Sequence, residues 1–452
     1  MKLLDLNRDG GIGANSIYFE LGPFRVLVDA GLNPKKAGYA AMPDFARIDD
    51  VELDFIVLTH CHLDHLGSLP VILRRHPEAT VLMSVPSVSI AERMLHNSCN
   101  VMKRQKEEAD IPEYPLFTHG EIDRIAKQFV SMGYNSPLVY ESKGEKLEVT
   151  LFAAGHVAGA SAVQMTYGKR KVFFTGDVLF ETQRILKGAR FHKGEIDTIV
   201  LETTRGGTER PAGQTRSSEV ERLLQTINTT ITQGGSCLIP VFALGRMQEI
   251  LSLLRDGRKN GDLVKCPIFC AGLGMDLADY FDEISKKTGL LSFRRKVLKD
   301  LNVQPLPRHL KPGRDLPGSG IYVLSSGMLV ENTPSYRVAS CLLGHPNNSI
   351  CYVGYCDPDT PGGKMLESRT AKEFLFSAFD FTAPMKAHID RFELSCHADR
   401  DELIAFTLAA SPRAVVLTHG DPPARVWFQE TLRDLAPEIE VLDPDPGRMY
   451  DV

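Results

Sequence analysis

Three histidines and an aspartate fall within six positions: His60, His62, Asp64 and His65, in the string Thr59-His-Cys-His-Leu-Asp-His65. Neutral imidazoles and carboxylates are the ligands zinc prefers, and a closed shell needs three or four of them. The string follows directly on the apolar run at 55–58, and functional groups of open α/β sheets gather just beyond the carboxyl ends of strands. His60 and His62, on alternate residues, aim one way, and Asp64 and His65 form a second pair past the bend. The bland alternative is a polar loop capping the next helix; so dense a set of ligating groups argues against it. Cys61 should point opposite to its neighbours and pack.

Three further segments repeat the arrangement. His156 lies in Ala154-Gly-His-Val-Ala-Gly159, Asp177 in Thr175-Gly-Asp177, and His419 in Thr418-His-Gly-Asp421. The glycines let the backbone approach closely. Each segment alone is a weak signal, because single polar residues after strands are usually structural. All follow apolar runs, so all can share one sheet edge with His60–His65. Five histidines and two aspartates suit two metal ions that share a carboxylate.

The elements that must position these residues are short. Strands are expected at 16–21, 24–29, 55–59, 80–84, 149–153, 162–167, 172–175, 198–201, 236–241, 267–271, 321–325, 350–355 and 414–418. Helical patterns fall between them, at 66–75, 217–232, 244–255, 276–287, 399–409 and 422–435, which makes the chain α/β. Residues 304–319 and 357–364, rich in Pro and Gly, read as surface loops. At 452 residues the chain is too long for one ordinary domain. Its 43% hydrophobic and 24% charged residues exclude wholesale disorder. The net charge of −5 excludes a broad basic field, so a polyanionic substrate would need local positive charge or a bound metal. Nine scattered cysteines without a CxxC pair argue against a disulfide framework. No signal peptide or membrane-length apolar run is evident, and the reading is a reduced, cytoplasmic protein. The remaining histidines, His192 among them, are read as surface or core residues.

Taken together the motifs resemble a known series. Asp29, His60-x-His62-x-Asp64-His65, His156, Asp177 and His419 resemble the metallo-β-lactamase fold. Leu201-Glu202-Thr203-Thr204, residues 239–249 (Ile-Pro-Val-Phe-Ala-Leu-Gly-Arg-Met-Gln-Glu), Ser325-Ser-Gly-Met328, Ser395-Cys-His-Ala-Asp399 and Leu417-Thr-His-Gly-Asp421 resemble its β-CASP subgroup. The resemblance covers nearly the whole chain. It implies a four-layer αββα metallo-β-lactamase sandwich at 1–205 and 385–452, with an inserted α/β β-CASP domain at 206–384 and the active site in the cleft between them. It implies one zinc on His60, His62, His156 and Asp177, and a second on Asp64, His65, Asp177 and His419. Asp29 would orient ligands such as His62. His397 would be the general acid with Glu202 its partner, beside the catalytic Asp64. The backbone of Ser325, Ser326 and Gly327, with Arg246, would contact substrate phosphate.

The implied activity is zinc-dependent hydrolysis of RNA phosphodiester bonds, as endonuclease, 5′→3′ exonuclease or both. Members with histidine at the last motif mostly act on RNA, so His419 favours single-stranded RNA. A homodimer and an RNA-processing complex are both open as assemblies. Two segments depart from the pattern. After Glu202 the subgroup usually reads Ser-Thr-Tyr-Gly followed by a histidine; here Thr203-Thr-Arg-Gly206 stands, with no histidine before Arg210. After Asp177 the subgroup often places an arginine and an acidic pair; here the chain runs Val178-Leu-Phe-Glu-Thr-Gln-Arg184. The rival readings are a hydrolase of a small-molecule ester, which a phosphodiester assay separates, and an inactive scaffold, which metal content separates. For His397 the plain alternative is a surface histidine before a helix that Asp399 caps.

Overall fold

Several of the apolar runs that end in candidate residues form strands with no solvent face. In the computed structural model, which describes residues 1–142, 144–191 and 194–452, Thr198–Glu202 and Ala414–Thr418 are buried at every position. Central parallel strands are covered on both sides, so their sequences run continuously apolar instead of alternating. Strand Arg170–Phe174 shows both directions. Phe174 meets Phe19 with ring centroids 5.1 Å apart, while Phe173 turns the opposite way onto Phe406 of helix Arg400–Ala410, at 5.8 Å. His192 lies outside the described residues.

The chain divides into two compact units. The first comprises Met1–Thr182, Lys187–Arg210 and His397–Val452. It holds two seven-stranded sheets. One runs in spatial order Met449–Asp451, Lys2–Asp5, Ile17–Leu21, Phe24–Val28, Phe55–Val57, Thr80–Ser84, Phe129–Met132. The other runs Glu440–Leu442, Ala414–Thr418, Thr198–Glu202, Arg170–Phe174, Ser161–Tyr167, Glu145–Ala153, Leu138–Ser142. Their inner faces form one core, with Phe19, Val26 and Phe55 from the first sheet and Val149, Val172 and Val416 from the second. Helix Val85–Ala109 covers the outer face of the first sheet and Pro422–Leu435 that of the second, which completes the αββα sandwich.

The second unit, Gln183–Leu186 with Pro211–Cys396, is α/β. Its six-stranded parallel sheet is ordered Val303–Pro305, Ile268–Ala271, Ile321–Leu324, Cys237–Pro240, Ser349–Tyr352, His388–Arg391. Among the described residues no helix is long and apolar enough to cross a membrane.

Two departures from the expected elements have plain physical reasons. Val85–Ala109, the 25-residue helix, has no counterpart among the expected elements. Its buried face mixes Ile90, Met94, Leu95 and Met102 with Ser87 and Ser98, which blurs the apolar stripe. Residues 357–364, expected as loop, are loop only as far as Thr360, and Pro361 opens helix Pro361–Glu367. Thr360 caps it by accepting from the Gly363 amide, and Pro361 fits the first turn, where no backbone donor is needed.

Candidate active site

The candidate residues of the first unit sit at strand exits. Phe55–Val57 leads to His60, Glu145–Ala153 to His156, Arg170–Phe174 to Asp177, and Ala414–Thr418 to His419, while Glu202 ends its own strand. The last three of these strands are mutually parallel, and Glu145–Ala153 runs the same way through two antiparallel pairings, so one sheet edge gathers the four groups. Asp29 and His419 adopt left-handed backbone, φ 64° and 48°, a conformation uncommon for non-glycine residues.

Two groups of donors converge. In the first, His60 Nε2 lies 3.2 Å from His62 Nδ1, His156 Nε2 lies 3.1 Å from His62 Nδ1, and Asp177 Oδ2 lies 3.6 and 3.5 Å from His60 and His156 Nε2. In the second, His65 Nε2 and His419 Nε2 are 3.2 Å apart, and Asp64 Oδ2 is 3.8 and 3.4 Å from them. Asp177 Oδ1 reaches this second group too, 3.5 Å from His65 Nε2 and 3.4 Å from His419 Nδ1. One carboxylate therefore offers an oxygen to each group.

These residues fit a pair of divalent cations. Asp177 Oδ1 is buried without a hydrogen-bond partner, a costly state for an ionised oxygen unless a cation faces it. Imidazole nitrogens facing one another at 3.1–3.2 Å, ringed by carboxylates, form the nitrogen and oxygen set that zinc takes. Burial holds His60 well below the usual histidine range, hence neutral, as a ligand must be. Burial opposes the charge on His65, but Asp177, Asp29 and Asp64 outweigh it and lift its pKa to about 10. That proton is one a cation would displace. Burial opposes ionisation of Asp64, yet His65 and His419 hold it at about 2.

Supporting contacts fix the candidate donors. Asp29 accepts from the Thr59 amide and hydroxyl, both at 2.7 Å, and its Oδ2 lies 2.7 Å from His65 Nδ1. The resemblance has Asp29 orient ligands such as His62; the hydrogen bond found runs to His65. The Thr204 hydroxyl lies 3.0 Å from His419 Nδ1, and Asn15 Nδ2 lies 3.2 Å from His65 Nδ1. Thr59, Thr204 and Asn15 go unnoticed in the sequence; Thr59 and Thr204 at least stand inside motif strings, whereas nothing local marks Asn15. Cys61 is fully buried, donates to the Ser87 carbonyl and has its thiol pushed by burial up to about 12, so it packs as a thiol.

His397 is 8% exposed, unlike a surface histidine. Its Nδ1 lies 3.1 Å from both oxygens of Glu202, and its Nε2 is 3.9 Å from Asp177 Oδ2. Burial disfavours the imidazolium, but the Glu202 carboxylate raises the His397 pKa overall, and His397 in turn lowers that of Glu202 against burial. The carboxylate contributes stability above its unfolded value of 4.5, lost as pH falls through the depressed folded value. The imidazolium contributes below its unfolded value of 6.5, lost as pH rises through the raised folded value. Denaturant unfolding in chelator should therefore show Glu202→Gln destabilised by roughly 1.5–3 kcal/mol between these two values, the range for a hydrogen bond to a charged group. The deficit should shrink at higher pH; a deficit still growing above neutrality would contradict the charged pair. Asp399 does cap helix Arg400–Ala410, so the helix start and the buried histidine coexist.

The expected phosphate contacts belong to the second unit. Ser325, Ser326 and Gly327 follow strand Ile321–Leu324; the Ser326 hydroxyl accepts from the Val330 amide at 2.9 Å, and the Ser325 carbonyl from the Ser335 amide at 3.0 Å. Arg246 is 3% exposed, with its guanidinium bonded to the Leu394 carbonyl and Gln183. That placement makes Arg246 a brace within its unit, not a cation presented to solvent.

Known proteins carry the same architecture. Residues 9–226 match the metallo-beta-lactamase superfamily, 247–365 the Beta-Casp domain, and 382–442 the Zn-dependent metallo-hydrolase RNA specificity domain. The chain is 24% identical to "Probable RNase MJ4" of Methanocaldococcus jannaschii, over 91% of each chain. It is 27% identical to "Integrator complex subunit 11" of Danio rerio, over 96% of this chain and 71% of that one. It is 26% identical to "Endoribonuclease YSH1" of Kluyveromyces lactis, over 98% and 59%. Among solved structures, a protein of unknown function from Enterococcus faecalis V583 shares the fold, with TM-score 0.55 at 12% identity and 99% coverage of each chain. With sandwich, insert and RNA specificity segment in this order, the chain belongs to the β-CASP ribonuclease branch of the metallo-β-lactamase superfamily.

Proposed function

We propose that this chain is a metal-dependent ribonuclease that hydrolyses phosphodiester bonds of single-stranded RNA with two zinc ions. The observation that carries the reading is the Asp177 carboxylate, one oxygen toward each donor group, with His397 beside it. His60, His62, His156 and Asp177 would hold one zinc, and Asp64, His65, Asp177 and His419 the other. When bound, the metals supply an activated water and neutralise charge on the phosphoryl oxygens.

The chain's own residues do the rest. Asp29 holds the His65 ring through Nδ1, and Thr204 holds His419. Glu202 grips His397 Nδ1 and favours the imidazolium, leaving Nε2 aimed toward Asp177. From Nε2 the proton passes to the departing 3′ oxygen, so the products carry 5′-phosphate and 3′-hydroxyl ends. The chain's net charge of −5 directs RNA to the metal-bearing site and not to a broad basic face. Endonucleolytic and 5′→3′ exonucleolytic cleavage both fit this chemistry. A reduced cytoplasmic setting, as homodimer or within an RNA-processing complex, completes the reading; among the described residues no cysteine forms a disulfide.

The test is a substrate panel for the zinc-loaded protein: single-stranded RNA, duplex DNA, a lactone and a thioester. RNA should turn over fastest; a lactone or thioester preferred to RNA would overturn the reading. Metal content gives a second check. Asp64→Ala should keep one zinc of two, because His60, His62, His156 and Asp177 remain. Elemental analysis finding two, or none, would contradict the ligand division.

A further inference from the structure

Glu181 lies in the segment after Asp177, and Arg205 and Arg210 lie in the segment after Glu202, the two places where this chain departs from the pattern it resembles. In the first unit these departures meet. The Arg210 guanidinium takes both oxygens of Glu181, Nη1 to Oε1 and Nη2 to Oε2, each at 2.9 Å. Its Nε lies 2.9 Å from Asp399 Oδ2. Arg205, 5% exposed, donates to the other oxygen of Asp399. The Asp399 amide donates to Glu402 at 3.0 Å, and the Ala398 amide to the Val178 carbonyl at 2.6 Å. Three loops are thereby tied together: the one leaving Asp177, the one leaving Glu202, and the turn His397-Ala398-Asp399.

The chemistry of these links favours geometry over mere attraction. A forked arginine–carboxylate pair fixes both direction and distance, which a lysine ammonium does not. Both oxygens of Asp399 are held, one by each arginine, and Asp399 is two residues from His397. Glu181 stands four residues beyond Asp177, whose oxygen faces His397 Nε2. The network therefore sets the position of the His397 turn relative to the donor groups.

We propose that Arg205, Arg210, Asp399 and Glu181 are positioning residues for His397, keeping its Nε2 on the line to the departing oxygen. This rests on the reading of His397 as proton donor. A misplacement on the order of 1 Å costs about 10²-fold in rate. The experiment measures kcat and KM of the zinc-loaded protein on single-stranded RNA and on bis(p-nitrophenyl) phosphate, whose phenolate leaves without a proton. Variants are Asp399→Asn, the less buried Glu181→Gln and Arg210→Gln, the double variant of the last two, and His397→Ala.

The expected result is a kcat on RNA lower by about 10- to 100-fold in Asp399→Asn, with KM and zinc content unchanged and a much smaller loss on the activated diester. Glu181→Gln and Arg210→Gln should show smaller losses of the same kind. Their double should be no worse than the worse single, because they break the same link. An equal loss on both substrates, accompanied by a lower melting temperature, would overturn the proposal in favour of plain structural bracing. Unchanged kcat in all three single variants would overturn it as well. If His397→Ala shows the leaving-group dependence and the network variants do not, this inference alone fails. If His397→Ala lacks that dependence, the proton-donor reading fails and takes the inference with it.

Discussion

Asp177→Asn should fold, lose both zinc ions and lose measurable turnover on RNA and on an activated phosphodiester alike. Both Asp177 oxygens are committed, Oδ2 to His60 and His156 and Oδ1 to His65 and His419. Asparagine keeps the shape but presents one neutral oxygen and an amide that cannot ligate. Removing the charge also leaves five imidazoles with less compensation, so each group loses cation affinity together. Burial opposes the Asp177 charge, yet His419, His65 and His60 hold its pKa well below the usual carboxylate range, so the anion is the form replaced. Elemental analysis after dialysis against zinc reads the first expectation, and rates on the two substrates read the second. A variant that retained two zincs and near wild-type rate would remove the shared carboxylate from the account.

His397→Ala should behave in a contrasting way. It lies outside both donor groups, so zinc content and folding should stay at wild-type levels. Turnover on RNA should fall by about 10²–10⁴-fold, the usual contribution of a general acid. On bis(p-nitrophenyl) phosphate the loss should be much smaller. His419→Ala removes a proposed ligand and should harm both substrates. Full RNA cleavage by His397→Ala, or loss of a zinc from it, would end the general-acid assignment.

Much of this site was legible because its residues are chemically rare and locally marked. His60, His62, Asp64 and His65 stand in one covalent string after an apolar strand. His156 and Asp177 follow glycines with φ of 74° and 52°, and His419 precedes one. The strands were legible where burial on both faces made a continuous apolar run, as in Ala414–Thr418. Less of the support was visible. Thr59 and Thr204 are ordinary residues until the fold sets them against Asp29 and His419. That Asp29 bonds His65 was not legible, because candidate ligands three positions apart cannot be ranked without the bend between them. Arg246 at a helix start reads the same whether it faces solvent or, as here, the Leu394 carbonyl. Helix Val85–Ala109 escaped because serines share its buried face.

The most direct measurement is incubation of the purified protein with internally labelled and 5′-labelled single-stranded RNA, with and without chelator, followed by mapping of fragments and their end groups. The account predicts cleavage that stops on chelation, returns with added zinc, and leaves 5′-phosphate and 3′-hydroxyl ends. Cleavage that persists in chelator, or products with 2′,3′-cyclic phosphate ends, would contradict it.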